Sequence, residues 1–263
     1  MEALLNLAGV TRRFGGLTAV SEVSFAVQPG QIKAVIGPNG AGKTTLFNLI
    51  TGVLPVSRGS IRFKGKEIRS RKPHVIGRRG ISRTFQTAQI FHNMSLLENV
   101  MVGRHCRAKG GLFATALQLP YARAEEKRME EDARRWLAFV GVDGRLEASP
   151  AEVPFVVHRK TEIARALATE PELLLLDEPA AGLNIRETEE MGVLIRAIRE
   201  KGITVLIIEH DMSLIMEISD EIFVLNFGKT IAEGDPKSIQ TNPAVLEAYL
   251  GKEKEHVADR ESV

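Results

Sequence analysis

The sequence predicts an α/β fold: a P-loop core on a mostly parallel sheet, an N-terminal antiparallel β layer, and a helical subdomain from about Thr87 to Ala168. Three observations carry that expectation. First, Gly37-Pro38-Asn39-Gly40-Ala41-Gly42-Lys43-Thr44-Thr45 lies between the apolar run Ile32 to Ile36 and the segment Leu46 to Ile50, so strand, Gly-rich loop and helix follow one another. Second, the leucines Leu173 to Leu176, bounded by Pro171 and Pro179, are too short for a typical helix and fit a buried parallel strand. Third, Met191, Leu194, Ile195 and Ile198 make one helical face, Gly202 closes it, and Thr204 to Ile208 supplies another buried strand.

The remaining elements follow in chain order. Leu5 and Leu7, then Ala19 to Val27 with alternating Val23, Phe25 and Val27, read as strands of a half-buried sheet. Between them Arg12-Arg13-Phe14-Gly15-Gly16 reads as a polar Gly-rich loop, and Phe14 on its own is best explained by packing into the small sheet. Ile61 and Phe63 form a short strand before the turn Lys64-Gly65-Lys66. From Arg69 to Arg83 the chain is dense in positive charge, which predicts a solvated basic face, with contact to lipid headgroups or phosphate as the lesser alternative. Ile81 to Gln86 reads as a strand ending on a polar side chain. The clearest helix of the next region carries Met129, Ala133, Trp136, Leu137 and Val140 on one stripe and ends before Gly141. A second helix is expected from about Val156 to Ala168, after Pro154. Glu221 to Leu225 and Lys229 to Ala232 form a hairpin around Asn226-Phe227-Gly228. Residues 1–251 are expected to form a single domain, followed by a frayed polar tail, Lys252 to Val263.

Composition excludes several functions. In 263 residues, 35 Lys and Arg stand against 33 Asp and Glu, and a net charge of +2 gives no case for nucleic acid as a partner. Cys106 is the single cysteine, so no intrachain disulfide is possible, as suits a reducing compartment. No apolar run approaches the roughly 20 residues of a membrane span, and Met1-Glu2-Ala3 lacks the basic start of a signal peptide. Service to a membrane process would run through partners.

The motifs point to phosphate chemistry. In the loop Gly37 to Thr45 the glycines let backbone N–H groups turn inward on a phosphate chain, and the following helix adds its unpaired donors and positive dipole end. Lys43 would reach the β- and γ-phosphates, Thr44 would offer its hydroxyl to Mg²⁺, and Thr45 would support the α-phosphate. Asp177, ending the leucine run, is placed to hold Mg²⁺ through water, and Glu178 to polarise an attacking water. His210, at the end of the next strand, is in position to reach the γ-phosphate, although a lone histidine at a strand end is more often structural. The other histidines lack ligand spacing, so no metal beyond nucleotide-bound Mg²⁺ is expected.

In this order P-loop, Gln86, helical insertion, Asp177-Glu178, Ala180-Ala181-Gly182-Leu183-Asn184 and His210 resemble an ABC-transporter ATP-binding cassette across nearly the whole chain. The closest resemblance is to ATP-binding subunits of branched-chain amino-acid importers, through Arg13-Phe14-Gly15-Gly16, Ile81 to Gln86, Glu162 to Leu167, Asp177 to Asn184, Glu209-His210-Asp211-Met212 and Glu247 to Gly251. The resemblance implies a P-loop NTPase (RecA-like) core with ATP and Mg²⁺ as cofactors, and binding contacts from Pro38, Asn39, Gly40, Ala41 and Gly42. It also implies Phe14 as the adenine-stacking ring, Gln86 as a Mg²⁺ ligand and partner sensor, Asn184 in the D-loop, and His210 beside Glu178 as a catalytic residue. Implied partners are a second, different cassette, permease subunits and, indirectly, a solute-binding protein, at the cytoplasmic face of the inner (plasma) membrane. The nearest competing resemblance is the cassette of a lipopolysaccharide-extracting transporter. A non-transport ABC ATPase is a third, disfavoured by a single cassette without a long coiled-coil insertion.

One departure stands out. Where the family carries a signature close to Leu-Ser-x-Gly-Gln, this chain has Val153-Pro154-Phe155-Val156-Val157. Pro154 brings neither hydroxyl nor N–H, and Val156 puts a branched side chain where glycine admits a ligand. The expectation is a pair of unequal composite sites with an unlike partner cassette.

Overall fold

The computed structural model describes residues 2–86, 89–104 and 120–249. Cys106 and the tail Lys252 to Val263 lie outside the described residues.

An antiparallel layer comes first, in the strand order β2-β1-β4-β5, from β1 (Leu5–Phe14), β2 (Leu17–Val27), β4 (Arg58–Phe63) and β5 (Lys66–Glu67). The expected loop from Arg12 to Gly16 is shorter than the composition suggests. β1 runs on through Phe14, pairing Arg13 with Thr18 and Phe14 with Leu17. A Gly15-Gly16 turn suffices to close the hairpin because Gly15 adopts a positive φ of 57°.

The second sheet has the order β10-β9-β3-β8-β7-β6: β3 (Ile32–Ile36), β6 (Ile81–Arg83), β7 (Leu173–Asp177), β8 (Thr204–Ile208), β9 (Glu221–Asn226) and β10 (Lys229–Gly234). β10 is antiparallel to β9; the other pairings are parallel. Every residue of β3, β7 and β8 is buried, as strands covered on both faces require. That includes Lys33, whose ammonium donates to the Ala26 carbonyl at 2.8 Å and pairs with Glu221 at 2.9 Å and with Glu233. The burial cost of the charge is offset by three acceptors, one on the antiparallel layer and two on the core sheet.

Among the described residues the α-helices are α1 (Lys43–Ile50), α2 (Pro73–Arg78), α3 (Leu96–Arg104), α4 (Pro120–Phe139), α5 (Phe155–Leu167), α6 (Ile185–Glu200), α7 (Met212–Ile218) and α8 (Pro236–Gln240). On the α4 stripe Met129, Ala133 and Leu137 are buried, as is Val140 just past the helix end, while Trp136 is half-buried and meets Phe139 edge-on. α3 lies hard against α5, since a Cβ at Gly103 would collide with the Arg165 carbonyl. α6 starts at a capping box in which the side chains of Asn184 and Glu187 each accept from the other's backbone N–H. The short helix α2 was not expected from the basic stretch; Pro73 opens it. No helix among the described residues is long and apolar enough to cross a membrane.

Candidate functional site

The loop between β3 and α1 holds three glycines at positive φ: Gly37 at 149°, Gly40 at 80° and Gly42 at 102°. Two of them also have no room for a side chain. A Cβ at Gly37 would strike the Leu225 carbonyl, and one at Gly42 would meet the Ala19 oxygen at 2.6 Å. Gly42 is the N-cap of α1 and offers no side-chain bond to the first turn, which leaves that end of the helix open to an anion. Lys43 is buried and folds back across the loop, its Nζ donating to the carbonyls of Gly37 at 2.7 Å and Pro38 at 3.1 Å.

β7 lies two strands away from β3, with β8 between them, and delivers the acidic pair. Asp177 is buried; its Oδ2 accepts from Arg83 Nη2 at 2.6 Å, and Arg83 Nη1 donates to Asn48 Oδ1 of α1 at 2.6 Å. This corrects the reading of Arg83 as part of a solvated basic face: its side chain is 6% exposed. A charge count along Arg69 to Arg83 cannot distinguish the one arginine that β6 turns inward. Burial pushes the Asp177 carboxyl up and Arg83 opposes that shift. The other oxygen, Oδ1, is buried with no hydrogen-bond partner, so an acceptor is left for a hydrated cation. Thr44, Gln86 and Asp177 therefore fit the donor set expected for Mg²⁺, whose ligands are oxygens.

Glu178 takes a positive φ of 51°, uncommon for a side chain of its size, and its N–H donates to the Ile208 carbonyl at 2.9 Å. In that pose its carboxylate accepts from Gln86 Nε2 at 3.0 Å. A cavity of about 410 Å³ brings Glu178 and Gln86 together with Asn39, Gly40, Ala41, Gly42, Lys43, Thr44 and Thr45. Pro38, Phe14, Asp177 and His210 lie outside that lining. Pro38 reaches it through Lys43, and Asp177 sits behind Glu178 on β7. Phe14 is 42% exposed, with the Arg12 guanidinium 4.4 Å from its ring centre. The His210 side chain is 66% exposed, its Nδ1 3.6 Å from Glu209. Glu209, buried, accepts from the N–H groups of Ala180 and His210 and so fixes the turn that presents the histidine; burial pushes its carboxyl up. Leu17, Thr18, Ala19 and Phe227 also line the cavity, and sequence reasoning missed them.

The degenerate stretch forms the start of α5. Pro154 is the N-cap, with φ −59° and ψ 157°, and gives the helix no side-chain bond. The Phe155 ring packs where a side chain at Gly182 would meet it at 3.2 Å. One turn on, buried charges staple the helix to the segment after β6. Glu162 accepts from the Phe85 N–H at 3.0 Å, and Arg159 donates to the carbonyls of Gln86 at 2.8 Å and Phe85 at 3.3 Å. Burial raises the Glu162 carboxyl, and the Phe85 N–H works against it.

Known proteins resemble this chain in sequence and in fold. The family model described as ABC transporter matches residues 20–181, and the model for branched-chain amino acid ATP-binding cassette transporters matches residues 229–255. The high-affinity branched-chain amino acid transport ATP-binding protein BraF of Pseudomonas aeruginosa is 43% identical, across 95% of this chain and 98% of its own. LivG of Escherichia coli, named for the same transport, is 41% identical across 95% of this chain and 99% of its own. Among solved structures, the ADP conformation of an ATP-binding cassette of an ABC transporter superposes with a TM-score of 0.84 at 33% identity, covering 95% of this chain and 100% of that one.

Proposed function

The chain belongs to the ABC-transporter family of ATP-binding cassettes, and from that premise we propose that it powers a branched-chain amino-acid importer as one of two unlike ATPase subunits. The observation that carries the chemistry is the Gln86–Glu178 hydrogen bond, made in the cavity that also holds Lys43. Those residues supply an ammonium for the phosphates, a carboxylate for the attacking water and a side chain able to report on both.

ATP enters with its phosphates on the N–H groups of Gly40 to Thr45 and the Lys43 ammonium. Mg²⁺, held by Thr44, Gln86 and Asp177, would neutralise phosphate charge. Glu178 accepts the proton of the attacking water, and His210, exposed on its turn, contacts the γ-phosphate once the partner cassette closes. Phe14 stacks on the adenine. The fold acts as a single cassette over residues 1–251, with residues 87–168 as its helical subdomain. It docks peripherally on permease subunits at the cytoplasmic face of the inner membrane, and a solute-binding protein delivers the amino acid to those subunits.

The partner is an unlike cassette because of α5. A signature donates to the γ-phosphate bound on the opposite subunit; Pro154 brings neither hydroxyl nor N–H, and the branched side chain of Val156 stands where glycine lets the backbone approach the ligand. Losing one donor of that kind typically costs about 10²- to 10³-fold in rate. The site built from this chain's Lys43 and Glu178 with the partner's signature hydrolyses ATP, and the reciprocal site turns over slowly. Co-purification of a tagged Glu178→Gln variant from native membranes tests the whole reading. Recovery of permease subunits with a distinct second cassette supports it. Recovery of this cassette alone with lipopolysaccharide-extracting permeases, or with ribosomes, refutes the importer assignment.

A further inference from the structure

The β9–β10 turn carries a residue that its geometry disfavours. Asn226 pairs with Lys229, so Phe227 and Gly228 form the two-residue connection, and both have positive φ, 46° and 75°. That is the pattern of a type I′ turn, for which Asn-Gly or Asp-Gly is the preferred sequence. A bulky aromatic residue there is an outlier that costs conformational energy. Core packing does not retain it, because Phe227 is 75% exposed.

The surroundings of the turn say what does. Gly228 N–H donates to the Ala41 carbonyl at 2.9 Å, and the Gly228 carbonyl accepts from the Ser21 N–H at 2.8 Å. A side chain at Gly228 would meet the Ala19 oxygen at 2.6 Å. The hairpin tip is thus clamped between the phosphate-binding loop and β2, and Phe227 lines the 410 Å³ cavity alongside Leu17, Thr18 and Ala19. Phe14 differs in place: its ring lies outside that lining.

We propose that Phe227 is a nucleoside-binding residue whose ring packs against the base or ribose of the bound nucleoside triphosphate, held in reach by the clamped turn. The proposal rests on the ATP-binding reading above and adds a contact to it. An apolar ring beside a polar phosphate loop suits the flat, weakly hydrated half of a nucleotide, since aromatic stacking accepts any base face. The disfavoured backbone is then the cost of aiming the ring into the site.

Calorimetric titration with ATP and, separately, with inorganic triphosphate tests this in the wild type, Phe227→Asn and Phe227→Tyr. Asn suits the turn, so the Asn variant should melt no lower than the wild type. It should bind ATP about tenfold more weakly, the scale of one lost ring stack, and inorganic triphosphate unchanged. Phe227→Tyr should restore ATP affinity. An Asn variant that binds ATP as well as the wild type, or loses triphosphate to the same degree, overturns the proposal. A wild-type chain that fails to bind ATP overturns the parent reading and this one with it.

Discussion

Helices α1 and α5 both begin beside a loop that faces outward from the core, yet their first turns are built for opposite tasks. At α1 the cap is Gly42, in a left-handed conformation beside two further glycines, and the first helical residue is a buried lysine. At α5 the cap is Pro154, and the first turn carries Phe155, Val156 and Val157. The supports behind them are alike: buried Arg83 ties α1 to β7, and buried Arg159 ties α5 to residues 85 and 86. The polar supports are therefore similar where the capping residues are not. What differs is the end that would meet ligand, and the inequality sits in a handful of side chains rather than in the fold.

Substitutions at each end sharpen or break that contrast. The largest effect is expected from Arg83→Met, which leaves the Asp177 carboxylate buried without its partner. Removing one member of a buried pair costs about 3–5 kcal/mol, and urea unfolding of the variant should show a lowered midpoint that corresponds to a loss of that order. A midpoint within ordinary scatter of the wild type would mean that the arginine supports nothing at α1. Next in size, Lys43→Ala should cut ATPase turnover by about 10²- to 10³-fold while the unfolding midpoint barely moves. The smallest effect belongs to Val156→Gly in the assembled transporter. It should cost no more than about 1 kcal/mol in stability, since glycine is only mildly unfavourable in a helix. Turnover at the reciprocal site, read with the partner's catalytic glutamate intact and Glu178→Gln in this chain, should rise. No rise would mean that Val156 does not limit turnover at that site.

The contrast also explains what the sequence could and could not reveal. The Gly37 to Thr45 loop, the leucine strand β7 and the acidic pair after it were legible because each is a local pattern whose spacing already encodes its geometry. The start of α5 was legible for the same reason, as Pro154 sets a helix boundary in any context. Arg83 was misread, because nothing within its own segment separates it from its five basic neighbours; Asp177, 94 residues away, does. Phe227 was passed over for a related reason. Its turn is local, but its place beside Ala41 arises from the pairing of β9 with β3 and appears only once the sheet is assembled. The Phe-Gly pair, where Asn-Gly is the comfortable choice, was the available signal. β1 outran its expected end because pairing with Leu17 and Thr18 at the exposed tip of the hairpin tolerates polar residues.

Lys33 gives the molecule a mechanical character. Its ammonium grips Ala26 in one sheet and the partly exposed Glu221 and Glu233 in the other, while Lys33 itself is buried. Sliding one sheet over the other would strand a charge in an apolar layer, so the two sheets resist shear and behave as one stiff block. A motor that levers a membrane protein between shapes needs an anvil that does not yield under load. Helices α3, α4 and α5 pack into the same apolar core as that block, and Glu162 and Arg159 add polar ties from α5 to residues 85 and 86 at its edge.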